Sequence, residues 1–328
     1  MKYHRFVVFT CLLAFAVIAL GTYTRLGDAG LGCPDWPGCY GQLTVPETAE
    51  QVVDRTYLEQ RPLEPVKGWK EMVHRYFAGT LGLAVLVTAV WSWLRRRDDP
   101  DQPVWLPTFL LVLVVFQAAL GMWTVTLLLN PVFVMGHLLG GFATFSLLVL
   151  LALRVRYEHP LLRFGSGRWR GAAAVGLLIL VAQIALGGWT SSNYAALACL
   201  DFPTCQGSWT PEMDFDEAFA MWRGLGVNYE YGVLEHPART AIHVTHRIGA
   251  LVTLLYLGWL VLALLRSEAG LRGAAMLVGG LLLAQVALGI GNVLLHLPLE
   301  VATAHNGVAA LLLISLLYVN HRLWRQQH

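Results

Sequence analysis

Charge is what this chain has least of. Only 13% of its 328 residues are Asp, Glu, Lys or Arg, whereas 56% are hydrophobic, and the mean hydropathy is +0.55. That much apolar surface cannot be hidden inside one water-soluble core of this length. An ordinary soluble fold is excluded, and an all-α integral membrane protein in a lipid bilayer is expected. The net charge is only +2, so no strongly basic surface calls for nucleic acid. Cysteine is scarce as well, with five residues and none in the CxxC spacing of a zinc site.

What the chain has instead is a series of apolar stretches near 6–24, 73–94, 105–128, 132–153, 172–190, 242–265, 273–295 and 301–320. Each is long enough to span a bilayer as a helix, roughly 17 to 25 residues, so eight transmembrane helices are predicted. Lys2, Arg5, Arg95 to Arg97, Arg154, Arg156, Arg163, Arg168, Arg170, Arg266, Arg272, Arg322 and Arg325 fall in short segments on one side. The side that collects Lys and Arg in short loops is the cytoplasmic one, which places both termini in the cytoplasm and the long segments 25–72 and 191–241 outside. Lys2 and Arg5 before an apolar run also describe a signal peptide. Against this, Ile18-Ala-Leu-Gly-Thr-Tyr-Thr24 is echoed deep in the chain by Ile184-Ala-Leu-Gly-Gly-Trp-Thr190, so the first stretch reads as a retained helix.

That echo belongs to a duplication. Gly21, Thr24, Cys33 and Cys39 correspond at one constant offset to Gly187, Thr190, Cys199 and Cys205. The organisation expected is two tandem four-helix bundles with pseudo-twofold symmetry about the membrane normal, residues 1–153 and 172–328, joined by a cytoplasmic linker at 154–171. The cysteine pairs Cys33/Cys39 and Cys199/Cys205 lie in the outer segments, where an oxidising compartment favours disulfides; unpaired thiols in folded loops are the alternative. Cys11, inside the first helix, reads as a packing residue.

Four histidines follow the same duplication. His74 and His246 stand in Glu71-Met-Val-His74-Arg75 and His243-Val-Thr-His246-Arg247, each opening an apolar run, while Gln117-Ala-Ala-Leu-Gly121 and Gln285-Val-Ala-Leu-Gly289 precede His137 and His305 by the same distance. Helices two, four, six and eight run in the same direction, so all four histidines are expected near one membrane face. Ionisable groups there are costly and usually functional. Two imidazoles on facing helices can clamp a haem, one ligand on each side of the iron, which makes His74 with His137 and His246 with His305 two candidate haem sites. A lone interfacial histidine would be unremarkable; four in repeat register are not. Zinc or copper would also accept imidazole, but the pairs lack further Cys or carboxylate ligands. Arg75 and Arg247 are candidate partners of haem propionates or else cations that mark the helix boundary. Gly79, Gly140, Gly141 and Gly249 offer room for a porphyrin or a close helix.

The halves differ at one informative place. Glu71 lies one helical turn before His74, and His243 occupies the equivalent position in the second half. A carboxylate beside one haem can act as a base or stabilise positive charge, so Glu71 is the candidate catalytic residue; a helix-start carboxylate favoured by the dipole is the plainer alternative.

Thr24-Arg25-Leu26, Gly30-Leu31, Trp36-Pro37, Glu71-x-x-His74-Arg75, His137, His246-Arg247 and His305, in this order, resemble the heme A synthase family, and the likeness covers almost the whole chain. It implies an eight-helix membrane enzyme that oxidises a methyl substituent of haem O to the formyl group of haem A for terminal oxidases. It also implies haem O as substrate at His74 and His137, Glu71 as the catalytic carboxylate, and haem b (iron) on His246 and His305. Its location would be the bacterial inner (plasma) membrane, its partners an unidentified electron acceptor and, as a candidate, the enzyme that makes haem O; homo-oligomer contacts stay open. The first cysteine pair matches family loop cysteines, and the second departs from the minimal pattern. A di-haem b-type electron-transfer cytochrome is the rival reading; it shares the helices and histidines but leaves Glu71 without a task.

Overall fold

In the computed structural model, residues 2–156, 167–267 and 269–324 are described. The middle of the expected linker, 157–166, lies outside them, as do Arg163 and Arg325. Eight long helices, here α1 to α8, are apolar enough to cross a membrane. They are α1 Lys2–Leu26, α2 Pro65–Arg95, α3 Trp105–Thr126, α4 Pro131–Arg156, α5 Arg170–Ser192, α6 His236–Ser267, α7 Arg272–Leu294 and α8 Leu299–Trp324. No strand forms among the described residues; two isolated backbone bridges, Cys39 with Gln42 and Cys205 with Ser208, are the only ladder contacts there.

The helices are built for lipid. Their outward positions carry large apolar side chains such as Leu12, Leu83, Val112, Leu178, Leu255 and Leu283, which only a hydrocarbon surround would leave exposed in such number. Several small polar residues face inward and return their hydroxyls to their own helix: Thr10 to the Phe6 carbonyl at 3.0 Å, Thr88 to Ala84 at 2.8 Å, Thr144 to Gly140 at 2.8 Å and Thr253 to Gly249 at 2.8 Å. With no water to satisfy them, this pairs those hydroxyls while letting helices approach closely. The protein is an integral membrane protein.

Two helices begin earlier than hydropathy alone suggests. α2 starts at Pro65, a residue suited to the first helical position, and α6 at His236, so each is longer than the roughly 30 Å apolar zone requires at 1.5 Å per residue. The extra turns of α2 are polar towards solvent and pack against the preceding loop: Gly68 approaches Val45 so closely that a Cβ there would lie 2.8 Å from it.

The chain divides into two compact units. Unit one comprises Met1–Leu148 with Ala220–Val233, and unit two Val149–Phe219 with Leu234–His328. In unit one, α1 packs on α2 and α2 on α3, while α4 meets α1 where the Phe15 and Phe145 ring centres lie 5.8 Å apart. The loop after α1 has a small core of its own, with Cys33, Cys39, Tyr40, Val45 and Val52 against Met72 of α2. Residues 220–233 join this unit through two bonds from Arg61 to Glu230, at 2.9 and 2.6 Å, and through the Tyr229 amide on the Leu128 carbonyl at 3.0 Å. Tyr229 also packs with Leu31, Val125 and Leu129. In unit two, α5 packs on α6, α6 on α7, α7 on α8 and α8 back on α5, a closed four-helix ring. Asn320 of α8 ties that ring by donating to the Ala173 carbonyl of α5 at 3.0 Å.

Candidate functional site

Each unit brings together the two histidines assigned to it. In unit one the ring centres of His74 on α2 and His137 on α4 are 6.5 Å apart, with planes at 88°. In unit two His246 on α6 and His305 on α8 lie close enough to interact electrostatically. Each ring rests on a glycine of the preceding helix. A Cβ at Gly21, Gly121, Gly187 or Gly289 would stand 2.8, 3.3, 3.2 or 3.1 Å from Cε1 of His74, His137, His246 or His305 respectively. These four glycines close the four Ala-Leu-Gly triplets of α1, α3, α5 and α7. The triplets are visible in the sequence as register marks, but nothing in a one-dimensional pattern says that each is the seat of a histidine on the next helix.

A metal bridging two imidazoles needs two bonds of about 2 Å plus roughly 1 Å from each nitrogen to its ring centre, about 6 Å in all. The His74–His137 pair stands at that separation. Nδ1 of His74, His137 and His305 is buried without a hydrogen-bond partner in the protein, and a Cβ at Gly141, one turn deeper than His137 on the same face, would meet nothing within 4 Å, whereas Gly79 is exposed on another face of its helix. Among the described residues no three His, Cys, Asp or Glu side chains gather as a metal site. Paired imidazoles beside open space therefore fit an iron that brings its own macrocycle better than a metal held by protein ligands alone.

Beside each pair sits a disulfide loop, Cys33–Cys39 in unit one and Cys199–Cys205 in unit two, as expected for both cysteine pairs. The loops share one construction. Asp35 accepts from the Tyr40 amide at 2.6 Å and the Gly41 amide at 3.0 Å; Asp201 accepts from Gln206 at 2.6 Å and Gly207 at 3.0 Å. The receiving turns place Tyr40, Gly41, Gln206 and Gly207 at positive φ. The hydroxyl of Thr204, together with these amides, holds the Asp201 carboxyl down at about 2.

Each loop is gripped from the adjacent helix by the arginine that follows a histidine. Arg75 donates through Nη1 to the carbonyls of Asp35 at 3.0 Å, Pro37 at 3.2 Å and Gly38. Arg247 donates to Thr204 at 2.8 Å, Asp201 at 2.9 Å and Cys199 at 3.2 Å. Nε of Arg247 is buried without a partner.

The difference between the halves lies directly under these loops. Glu71, in the second turn of α2 and only 4% exposed, accepts the Cys33 amide on Oε2 at 3.0 Å and pairs through Oε1 with Arg75. His243, also 4% exposed, presents Nδ1 to the Cys199 amide at 3.4 Å. The same backbone donor thus meets a carboxylate in one unit and an imidazole in the other. Because α2 starts at Pro65, Glu71 is an enclosed residue within the helix; the plainer alternative of an exposed helix-start carboxylate does not describe it.

The sequence marks Gln117 and Gln285 only as register points, and it does not single out Gln183; that glutamines lie against the histidines emerges from the fold. Gln183 Nε2 lies 3.0 Å from both Nδ1 and the carbonyl oxygen of His246, and Gln285 Nε2 lies 3.2 Å from Nε2 of His305. The places expected to admit a porphyrin or helix at Gly140 and Gly249 are filled by such amides: a Cβ there would sit 1.7 Å from Gln117 Nε2 and 2.2 Å from Gln183 Oε1.

Known proteins are similar to this chain along most of its length. The profile of a family described as cytochrome oxidase assembly protein matches residues 4–317. A heme A synthase of Shewanella oneidensis is 48% identical over 319 residues, covering 97% of this chain and 95% of its own. Heme A synthases of Caulobacter vibrioides and of a Chelativorans species are 29% and 28% identical, over 92% and 91% of this chain. The eight apolar helices, the duplicated histidine pairs and a match along nearly the full length lead to one conclusion: the chain belongs to the cytochrome oxidase assembly protein family.

Proposed function

We propose that this protein is a heme A synthase, with haem O as substrate in the unit of His74 and His137, and haem b held by His246 and His305. The observation that carries the reading is the exchange of Glu71 for His243 beneath equivalent cysteine amides. Converting a ring methyl to a formyl group is a four-electron oxidation that adds one oxygen atom and takes two hydrogens from the carbon, its electrons leaving for an acceptor outside the chain and its protons for a base, so a proton acceptor is needed beside one pair only. Glu71 meets that need: its oxygens are fixed by Arg75 and the Cys33 amide, which orients the carboxylate and excludes water from it. In this reading Glu71 takes up a proton at a carboxylate oxygen or stabilises positive charge developing on the substrate carbon.

His246 and His305 would hold haem b, which would supply a one-electron redox centre there. Around it the chain's own residues do the holding: Gly187 and Gly289 seat the two rings, and Arg247 secures the covering loop. Arg75 and Arg247 reach haem propionates only through donors the loop carbonyls leave free; their contacts support a loop-holding task first. We further read residues 1–153 as the substrate half and 172–328 as the haem b half, the termini as cytoplasmic in a bacterial inner membrane, and the enzyme that makes haem O as a candidate partner.

The test is the pigment content of purified protein from cells that make haem O. The expected result is haem B together with haem O or A, and loss of haem B on replacing His246 or His305 by Ala. Two haem B per chain with no haem O or A would make the protein an electron-transfer cytochrome, and an unchanged bis-histidine spectrum in both variants would remove these residues as ligands.

A further inference from the structure

A haem carries two carboxylates as well as iron, and the histidine pair of unit two would hold only the iron. The distribution of charge in that unit decides where the carboxylates can lie. There is no Asp, Glu, Lys or Arg in α6 between Arg247 and Arg266, in α5 or α7 beyond their first residue, or in α8 between Glu300 and Arg322. An ionised group turned towards that stretch would be buried in an apolar surround without a partner. The carboxylates must point the other way, past the histidines to the end of the bundle that the disulfide loop covers.

At that end, Arg239 and Arg247 are the only lysine or arginine among the described residues of unit two. Arg247 is committed to the loop carbonyls of Thr204, Asp201 and Cys199. Arg239 has no such task. Its Nε is buried without a partner, and its side chain makes no hydrogen bond or ion pair among the described residues. Glu235, one turn away, is exposed and does not pair with it. A half-buried guanidinium with no counter-charge is costly to keep.

Its place on α6 is specific. Arg239 precedes His246 by seven residues, two helical turns, so both side chains leave the helix on one stripe, about 10 Å apart along its axis. The disulfide loop occupies a neighbouring stripe, where Gln206 Nε2 reaches His236 Nε2 at 2.6 Å and the Thr240 hydroxyl at 3.2 Å. An iron ligand with a guanidinium two turns further out suits a flat macrocycle standing along the helix, its carboxylate edge towards the loop. In unit one the residue seven before His74 is Lys67, and Glu64 takes its ammonium at 2.9 Å. The equivalent cation is thus engaged in one unit and without a partner in the other.

Resting on the haem b site proposed above, we propose that Arg239 binds a carboxylate of the resident haem, the guanidinium fork matching its two oxygens. Arg239 is then a cofactor-binding residue that sets which edge of the haem faces the disulfide loop.

The experiment compares full-length protein purified from haem O-producing membranes as wild type, Arg239→Met, Arg239→Lys and Lys67→Met. Two readouts are independent of turnover. One is the rate at which haem B, identified by chromatography, passes to excess apomyoglobin; the other is the propionate bending band in resonance Raman, read as the difference between variant and wild type. Arg239→Met is expected to release haem B about 10- to 100-fold faster, the range for one hydrogen bond to a charged group, and to shift the band while the bis-histidine absorption spectrum is kept. Arg239→Lys keeps the charge without the fork, and should recover most of the retention with the band still shifted. Lys67→Met should release haem B at the wild-type rate; release as fast as from Arg239→Met would show that any outer cation acts alike and overturn the assignment. A wild-type rate in Arg239→Met would overturn it too, as would faster release with an unmoved band, which would leave Arg239 merely supporting α6. Should Arg239→Met not accumulate, Arg239→Lys decides by the same band, an unmoved band overturning the proposal. Wild-type protein with no bis-histidine haem B would instead defeat the functional reading beneath it, an outcome visible before any variant is compared.

Discussion

Glu71 shows how much one side chain can differentiate two otherwise parallel sites. Its carboxylate is enclosed and held at both oxygens, by Arg75 and by the Cys33 amide. Holding a carboxylate this way fixes where its lone pairs point, and a base positioned against a reacting atom contributes roughly 10²–10⁴-fold to a rate. Glu71→Gln keeps the size and much of the hydrogen bonding but removes the base and the negative charge. Haem A output, measured by chromatography of extracted haems O and A with any hydroxylated intermediate, should fall about 100-fold. Haem B content should stay at the wild-type level, because the second pair has His243 in the corresponding place. Wild-type haem A from this variant would leave Glu71 with only the task of anchoring the disulfide loop.

At the scale of elements, the sites depend on pairs of helices that approach closely enough for a histidine ring to lie on a glycine. The contact is tightest at Gly21, where a Cβ would come within 2.8 Å of His74 Cε1, and looser at Gly121, at 3.3 Å from His137. A methyl group at Gly21 must displace the imidazole, because the ring is the movable partner and the α1 backbone is not. Overpacking of this kind costs about 1–3 kcal/mol, which a helix bundle of this size withstands, but shifting a reactive group by about 1 Å can cost 10²-fold in rate. Gly21→Ala should therefore lower haem A output at least about tenfold with the protein still folded, and Gly121→Ala should do so less. Melting temperature together with haem A yield checks this; equal effects of the two variants would separate the rate from the glycine seat. The disulfide loops belong to the same scale, since each is a knot of amides around an aspartate that an arginine then fastens to its helix.

For the whole molecule, the positions of the basic residues and the even number of spans set an orientation that can be measured. Glu47, exposed in the first long loop, and Asp98, exposed between α2 and α3, are separated by one crossing of α2. A reporter cysteine at Glu47 should react with a membrane-impermeant maleimide in intact spheroplasts, and one at Asp98 only after the membrane is opened. Cys11, the one free cysteine among the described residues, is buried and should contribute no background. The reverse labelling pattern would invert the topology and put the histidine pairs at the cytoplasmic face.

Much of this was determined by the sequence itself. Apolar runs of spanning length dictate helices because unpaired backbone groups are intolerable in hydrocarbon, and the duplicated motifs single out His74, His137, His246 and His305 because chance does not repeat rare ionisable residues in register. The exchange of Glu71 for His243 was likewise legible, as was the pairing of cysteines six residues apart. Other features required the folded chain. That Glu71 receives the Cys33 amide, that Arg75 and Arg247 are committed to loop carbonyls, and that Gln183 and Gln285 touch histidine rings are facts of distance between residues 20 to 63 positions apart or in separate loops. So is the membership of residues 220–233 in unit one, fastened by Arg61 and Glu230 from opposite halves of the sequence. Hydrophobic periodicity reports how a residue partitions between lipid and water, a property of the local segment. Which polar group completes another's hydrogen bonds depends on how closely two helices or a helix and a loop approach, and that distance is settled only when the small residues between them are packed.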